Sequence, residues 1–260
     1  MKGSFLLVIA NSIHDRCRKI WVKYRRLSVA KNNTLRKFFI SASLLLFTAS
    51  SHAAFALNST RYVFDEKREN ISVQVDNQST QEYGGQIWIE NQDQDDKNVY
   101  FVPSPTFFKV VDQHKQILRI LKINDALPKD KESLFWINVQ EIPKAPKDGA
   151  NALSIALHTQ VKMIYRPDIL KDKRENAEKN IKLINDESST VLFNDSPYYF
   201  AVINVKQNGK TVNLEDDVKN KIAVFSPFEK ISLNKKLTGN ISFVAFDDYG
   251  VDREYNISQH

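Results

Sequence analysis

From Leu57 onward the apolar residues of this chain recur at every second position, in short runs rich in Val, Ile, Tyr and Phe separated by Asn, Asp, Gln, Gly and Pro. A period of two alternates side chains between the faces of an extended chain, so these runs are strands; an amphipathic helix would need apolar residues three and four apart. The first half predicts strands over 62–65, 71–75, 86–90, 99–102, 106–111, 117–123, 134–139 and 153–165. Pro103-Ser104-Pro105 should break pairing where a strand crosses between sheets, since proline cannot donate a ladder hydrogen bond. Between Arg166-Pro167 and Asn180 the pattern lapses into the charged run KDKRENAEKN, with at most a turn or two of helix near Lys173 to Lys179. It resumes over 181–184, 190–193, 198–205, 211–214, 222–225, 231–233 and 241–246. The pattern therefore predicts an all-β chain with two sandwich domains, 54–167 and 168–260, behind a leader, 1–53.

The leader accounts for the basic balance. Residues 1–53 carry ten Lys or Arg against one acid, Asp15; removing these from the chain's 37 basic and 31 acidic residues leaves 27 and 30, a net of −3. A mildly acidic mature chain gives no footprint for nucleic acid. Arg36-Lys37 precedes the apolar run Phe38 to Thr48 and then the small residues around Ser51-His52-Ala53, the layout of a secretory signal peptide. The run is about half the roughly 20 residues that a membrane-spanning helix needs, which argues against a permanent membrane anchor. Cleavage after Ala53 satisfies the small-x-small rule, as does cleavage after Ala56; the first is preferred. An ordinary signal peptide would begin near Val29 to Lys31, so the upstream stretch reads as a start placed too early or as an unusually long targeting segment. The only cysteine, Cys17, lies in the leader, so the exported domains would depend on their cores alone.

Catalytic chemistry lacks its parts. Three histidines follow the leader, His114, His158 and His260, and no cysteine accompanies them, so a metal site is short of ligands and no cofactor is expected. There is no G-x-S-x-G and no Gly-rich phosphate loop. Pairs such as Asp95-Asp96, Asp216-Asp217 and Asp247-Asp248 sit in turn-like surroundings and read as solvated loop carboxylates.

One run is too apolar for an ordinary sandwich edge. In NALSIALHTQVKMIY, Asn151 to Tyr165, the large residues Leu153, Ile155 and Leu157 alternate with Ala152, Ser154 and Ala156. The simplest reading is that the three face their own core. The other is an edge strand that offers backbone groups and apolar side chains to another chain.

Leu127 to Pro143, LPKDKESLFWINVQEIP, resembles the signature of the PapD-like periplasmic chaperones of the chaperone-usher pathway. Supporting matches are Leu57 to Asp65, Trp88 to Asn91, Ala156 to Thr159 running to Tyr165-Arg166-Pro167, Ser196 to Tyr199, and Asp248-Tyr249-Gly250. The resemblance implies two immunoglobulin-like domains at an angle with a cleft between them, a periplasmic location in a Gram-negative bacterium, and no enzymatic activity. It implies fimbrial or pilus subunits as partners, stabilised by donor-strand complementation and delivered to an outer-membrane usher. Arg61 and Lys162 would hold a subunit's C-terminal carboxylate, Leu153, Ile155 and Leu157 would be the donor side chains, and Glu132, Arg166 and Asp248 would form an ion network setting the interdomain angle. The loop KAPKDGA after Pro143 resembles the short-loop branch of the family, usually associated with rod-like pili. Departures are Lys144, Val251 after Gly250, a charged 171–179 segment without an aromatic, and no paired cysteines.

Parity raises an objection to that site. Lys162 is even and the apolar trio odd, so an unbroken strand puts them on opposite faces; either a bulge near His158 to Gln160 aligns them, or Lys162 reaches the cleft from the far face. The sequence also leaves open whether the protein self-associates through its edge strand. The competing function is a secreted immunoglobulin-like adhesin or structural fimbrial subunit, which would carry a free donor extension and lack its final strand.

Overall fold

A computed structural model describes residues 54–144, 155–185 and 188–257. The expected leader with its cleavage motif, Leu153 and most of the KAPKDGA loop lie outside them. Two separate hydrophobic cores are present, one drawn from residues between Ala54 and Tyr165, the other from residues between Leu170 and Ile257.

The first core lies between two sheets. One has the order β1-β3-β7-β5 and comprises Phe55–Leu57, Asn70–Asn77, Lys115–Lys122 and Phe101–Ser104; the other has the order β2-β9-β8-β4-β6 and comprises Arg61–Asp65, His158–Arg166, Ser133–Ile142, Tyr83–Asn91 and Phe107–Val110. The alternation that predicted the strands sets their facing. Val73 and Val75 of β3, Ile137 and Val139 of β8, and Met163 and Tyr165 of β9 point inward, all of odd number. On β2 the inward residues are even, Tyr62 and Phe64. The chain crosses from the first sheet to the second between β5 and β6, at Pro105, as the Pro-Ser-Pro step implied. Pro103 is tolerated inside β5 because β5 is an edge strand.

The second core lies between β10-β11-β14 (Ile181–Asn185, Thr190–Asn194, Lys230–Ser232) and β13-β12-β15-β16 (Lys210–Thr211, Ala201–Gln207, Ile241–Phe246, Asp252–Ile257). An expectation fails here. Residues 222–225 are not a strand: Asp216–Ala223 form a helix, α1, which buries Val218 and Ile222, four apart, and opens on two acids that favour a helix N-terminus. The charged run after Pro167, expected to hold at most a turn or two of helix, does carry such turns. It folds into two short 3-10 segments, Asp168–Lys173 and Ala177–Asn180, which bury Leu170 and Ala177. They also enclose an ion pair between Arg174 and Glu178, 2.8 Å apart, with side chains 9% and 2% exposed.

Candidate functional site

Strand β9 organises the site. It pairs antiparallel with β8 in one unbroken register from Gln140↔His158 to Ser133↔Tyr165, and the Glu141 N–H to Leu157 carbonyl bond, 2.9 Å, continues that register. No bulge lies between Leu157 and Arg166, so the strand does not realign Lys162 with the apolar residues. Lys162 is on the outward face, and Leu157 has the parity of Met163 and Tyr165, which fill the core. The strand also starts later than expected, at His158 rather than Leu153. Ile155 to Leu157 lead into it without a ladder of their own, with Ile155 65% and Leu157 42% exposed.

On its other side β9 pairs parallel with β2, but only from Arg61↔Lys162 to Asp65↔Arg166. Before Arg61 the chain belongs to the other sheet, as β1 paired with β3. Among the described residues, nothing therefore pairs with the β2-side edge of β9 before Lys162.

The edge stops at two cations. The register sets Arg61 beside Lys162, and since both point away from the core they share a face. Lys162 Nζ donates to the carbonyl of Ala223, the last residue of α1, and lies 5.8 Å from the ring centroid of Trp136, its neighbour in register on β8. The Arg61 guanidinium lies 5.2 Å from the ring centroid of Phe246, and its Nε is buried without a hydrogen-bond partner. Among the described residues neither has a carboxylate within ion-pair distance. Burial, followed by the Arg61 charge, pulls the Lys162 ammonium down to about 8, and burial also lowers Arg61 despite the more distant Asp248 and Asp247. The two like charges repel, and in a partly buried setting that repulsion carries a free-energy cost. An anion placed between them removes that cost and satisfies Arg61 Nε.

The C-terminal end of β9 carries a second cluster. Arg166 Nε lies 2.6 Å from Glu132 Oε1, while Nη1 and Nη2 grip Asp248 bidentately at 2.7 and 3.1 Å. Glu132 Oε2 accepts the Tyr199 N–H at 2.8 Å, and Arg174 Nε lies 3.4 Å from Asp248 Oδ1. Burial alone would push the Asp248 carboxyl up, but its bonds to Arg166 and the charges of Arg166, Arg174 and Arg61 outweigh it and hold the carboxyl below its usual value. Burial likewise disfavours the Arg166 charge, and Asp248 with Glu132 more than compensates. Glu132 and Arg166 belong to the first lobe and Asp248 follows β15 in the second, so the cluster links the two. Sequence reasoning missed Trp136, Phe246, the Ala223 carbonyl and Arg174. Trp136 was within reach, having the outward parity of β8; a backbone carbonyl leaves no mark in a sequence.

The PapD N-terminal domain of pili and flagellar-assembly chaperones matches residues 54–171. The chain is 50% identical over 226 residues to the chaperone protein FanE of Escherichia coli, covering 86% of this chain and 99% of that one. This chain belongs to the PapD-like pilus-assembly chaperones. Among solved structures, the periplasmic chaperone SfaE is 28% identical with a TM-score of 0.61, covering 78% of this chain and 98% of its own. The chaperone CupB2 of Pseudomonas aeruginosa, 23% identical, shares the fold with a TM-score of 0.65 over 79% of this chain and 100% of its own. As a PapD-like chaperone of the chaperone-usher pathway the protein is periplasmic and non-enzymatic, and its partners are fimbrial subunits and an outer-membrane usher. The adhesin or structural-subunit alternative is thereby set aside.

Proposed function

We propose that the unpaired edge of β9 and the Arg61/Lys162 pair form one subunit-binding site, in which the edge receives a subunit strand and the two cations receive its terminal carboxylate. The observation that carries this reading is that the edge is open up to Val161 and is taken over by β2 at Lys162, where the cations stand. A strand laid on that edge with its carboxylate at the pair runs parallel to β9, as β2 does beyond it. Its backbone groups complete the ladder, and its carboxylate fixes the register. Leu153, Ile155 and Leu157 are the side chains offered to the subunit; burying three aliphatic groups contributes ~5–9 kcal/mol before ordering costs. Glu132, Arg166 and Asp248 hold the lobes at the angle that brings α1 and Phe246 to the pair.

Co-expression of a cognate subunit tests the pair. Lys162→Ala deletes one donor, whereas Lys162→Glu sets a carboxylate against the subunit's own, so recovery from the periplasm should fall in the order wild type, Ala, Glu. Circular dichroism of each variant controls for folding. A folded Glu variant that recovers subunit at the wild-type level would remove the cations from the site.

A further inference from the structure

Glu141 is a buried acid with no opposing charge in contact with it among the described residues. It lies on β8 with the odd parity of Ile137 and Val139, facing the first core, and is 5% exposed. Its only side-chain partner among the described residues is the backbone N–H of Phe55, 2.8 Å from Oε1, and no Lys, Arg or His of those residues is within ion-pair distance. Nearby cations are engaged elsewhere: Lys144 with Glu82 at 3.4 Å and Lys115 with Asp76 at 3.2 Å. The remaining titratable neighbours are Tyr83 of β4, packed edge-on to Phe55, and His158 of β9, bound to Asn138 Oδ1. Burying a carboxylate beside one neutral donor costs several kcal/mol, and a sequence tolerates it where a cation arrives.

The residue before Phe55 is Ala54, itself 5% exposed, with its carbonyl held by the Gln78 N–H at 2.7 Å. Its nitrogen is three bonds from the Phe55 nitrogen that already touches Glu141. In the unprocessed chain that atom is a neutral amide; cleavage after Ala53 makes it an ammonium. We propose that the α-ammonium freed at Ala54 by leader removal is the counter-ion of Glu141, so that processing completes the docking of β1. The proposal rests on cleavage after Ala53. Cleavage after Ala56 would instead cut β1 and take Phe55, stacked on Phe108 at 5.7 Å, out of the core.

The consequence reaches the subunit site, because the Glu141 backbone N–H also holds the Leu157 carbonyl at 2.9 Å. One residue thus ties the new N-terminus to the start of the apolar segment. A chain still bearing its leader lacks the ammonium and holds this corner less firmly.

The test uses processed protein from the periplasm, as wild type and as Glu141→Gln, which keeps an acceptor for the Phe55 N–H but loses the charge. Each is compared with its α-amine free and selectively acetylated, the modification being verified by mass spectrometry. Acetylation should shift the folding equilibrium of wild type toward unfolding by about tenfold or more, the value of a charge-assisted hydrogen bond, and that of Glu141→Gln little. Independently, pH-dependent acylation should show the wild-type α-amine titrating above its ordinary value of about 7.7–8.0. An α-amine of ordinary pKa in wild type, or equal sensitivity to acetylation in both proteins, would overturn the pairing even if the glutamine variant folded poorly. A mature mass beginning at Leu57 would overturn the cleavage reading itself, a distinct result.

Discussion

Replacing Arg166 by alanine tests the ion cluster at the cation that joins its two carboxylates. Its side chain is 6% exposed and that of Glu132 0%, so removing the guanidinium leaves a buried carboxylate with the Tyr199 N–H and the more distant Arg174 charge to oppose it. Breaking a buried pair on one side costs about 3–5 kcal/mol. At about 2–4 °C per kcal/mol for a chain of this size, the melting temperature should fall by ~6–20 °C, read by circular dichroism of the periplasmic protein. Asp248→Ala should cost less, because the Asp248 side chain is 23% exposed and Arg166 keeps Glu132. Arg166→Lys should fall between, since an ammonium keeps the charge but cannot bridge two carboxylates as a fork does. Because Asp248 titrates below its usual value when folded, its contribution is fully present above about pH 4 and is lost as pH falls through the folded value. Asp248→Asn should therefore flatten part of the acid-unfolding limb. An Arg166→Ala protein that melted within a degree of wild type would show the reasoning to be wrong, since that buried Glu132 would then have cost nothing.

Two further outcomes follow from the subunit site. Lys162 loses its proton near 8 when folded and near 10.5 when unfolded, so stability should rise between those values by roughly 3 kcal/mol, and Lys162→Met should abolish the rise in denaturant titrations at stepped pH. A wild-type profile no steeper than the Met variant's would mean that the ammonium is solvated. Ile155→Asp with Leu157→Asp should leave the chaperone's own melting nearly unchanged, because both side chains are exposed, while abolishing subunit recovery; wild-type recovery would take these residues out of the interface.

What the sequence revealed and what it hid divide along physical lines. Strands with one buried face were legible because alternation is enforced by the pleat: β3 shows it along its whole length. Strand β16 went unseen because Asp252 to Glu254 are all exposed and only Tyr255 and Ile257 turn inward, too few to make a pattern. Helix α1 was mistaken for a strand because 222–225 reads Ile-Ala-Val-Phe, although the Val218 and Ile222 spacing pointed to a helix. The Arg174–Glu178 pair had no apolar signature at all, so the charged run gave no sign that it encloses a buried ion pair. At the site, resemblance supplied the residues, and parity supplied the constraint that Lys162 and the apolar segment cannot share a face without a bulge.

The absence of that bulge gives the strand its logic. Because β9 pairs with β8 without a bulge and the Glu141–Leu157 bond carries the register one residue beyond it, Leu157 keeps the parity of Met163 and Tyr165 yet lies largely exposed. In the proposed site a partner is thus offered apolar side chains just where the chaperone's own core ends. The outward face of β9 carries Lys162, which needs the other lobe: the Ala223 carbonyl and the platform of Trp136 hold the ammonium, while Phe246 lies against Arg61. Placing both functions on one face would force the cation into the row that packs apolar groups, at the cost of burying a charge. In the proposed site, opposite faces would let a subunit's open core read the apolar residues and its final carboxylate the cations, with the backbone edge between them setting the register.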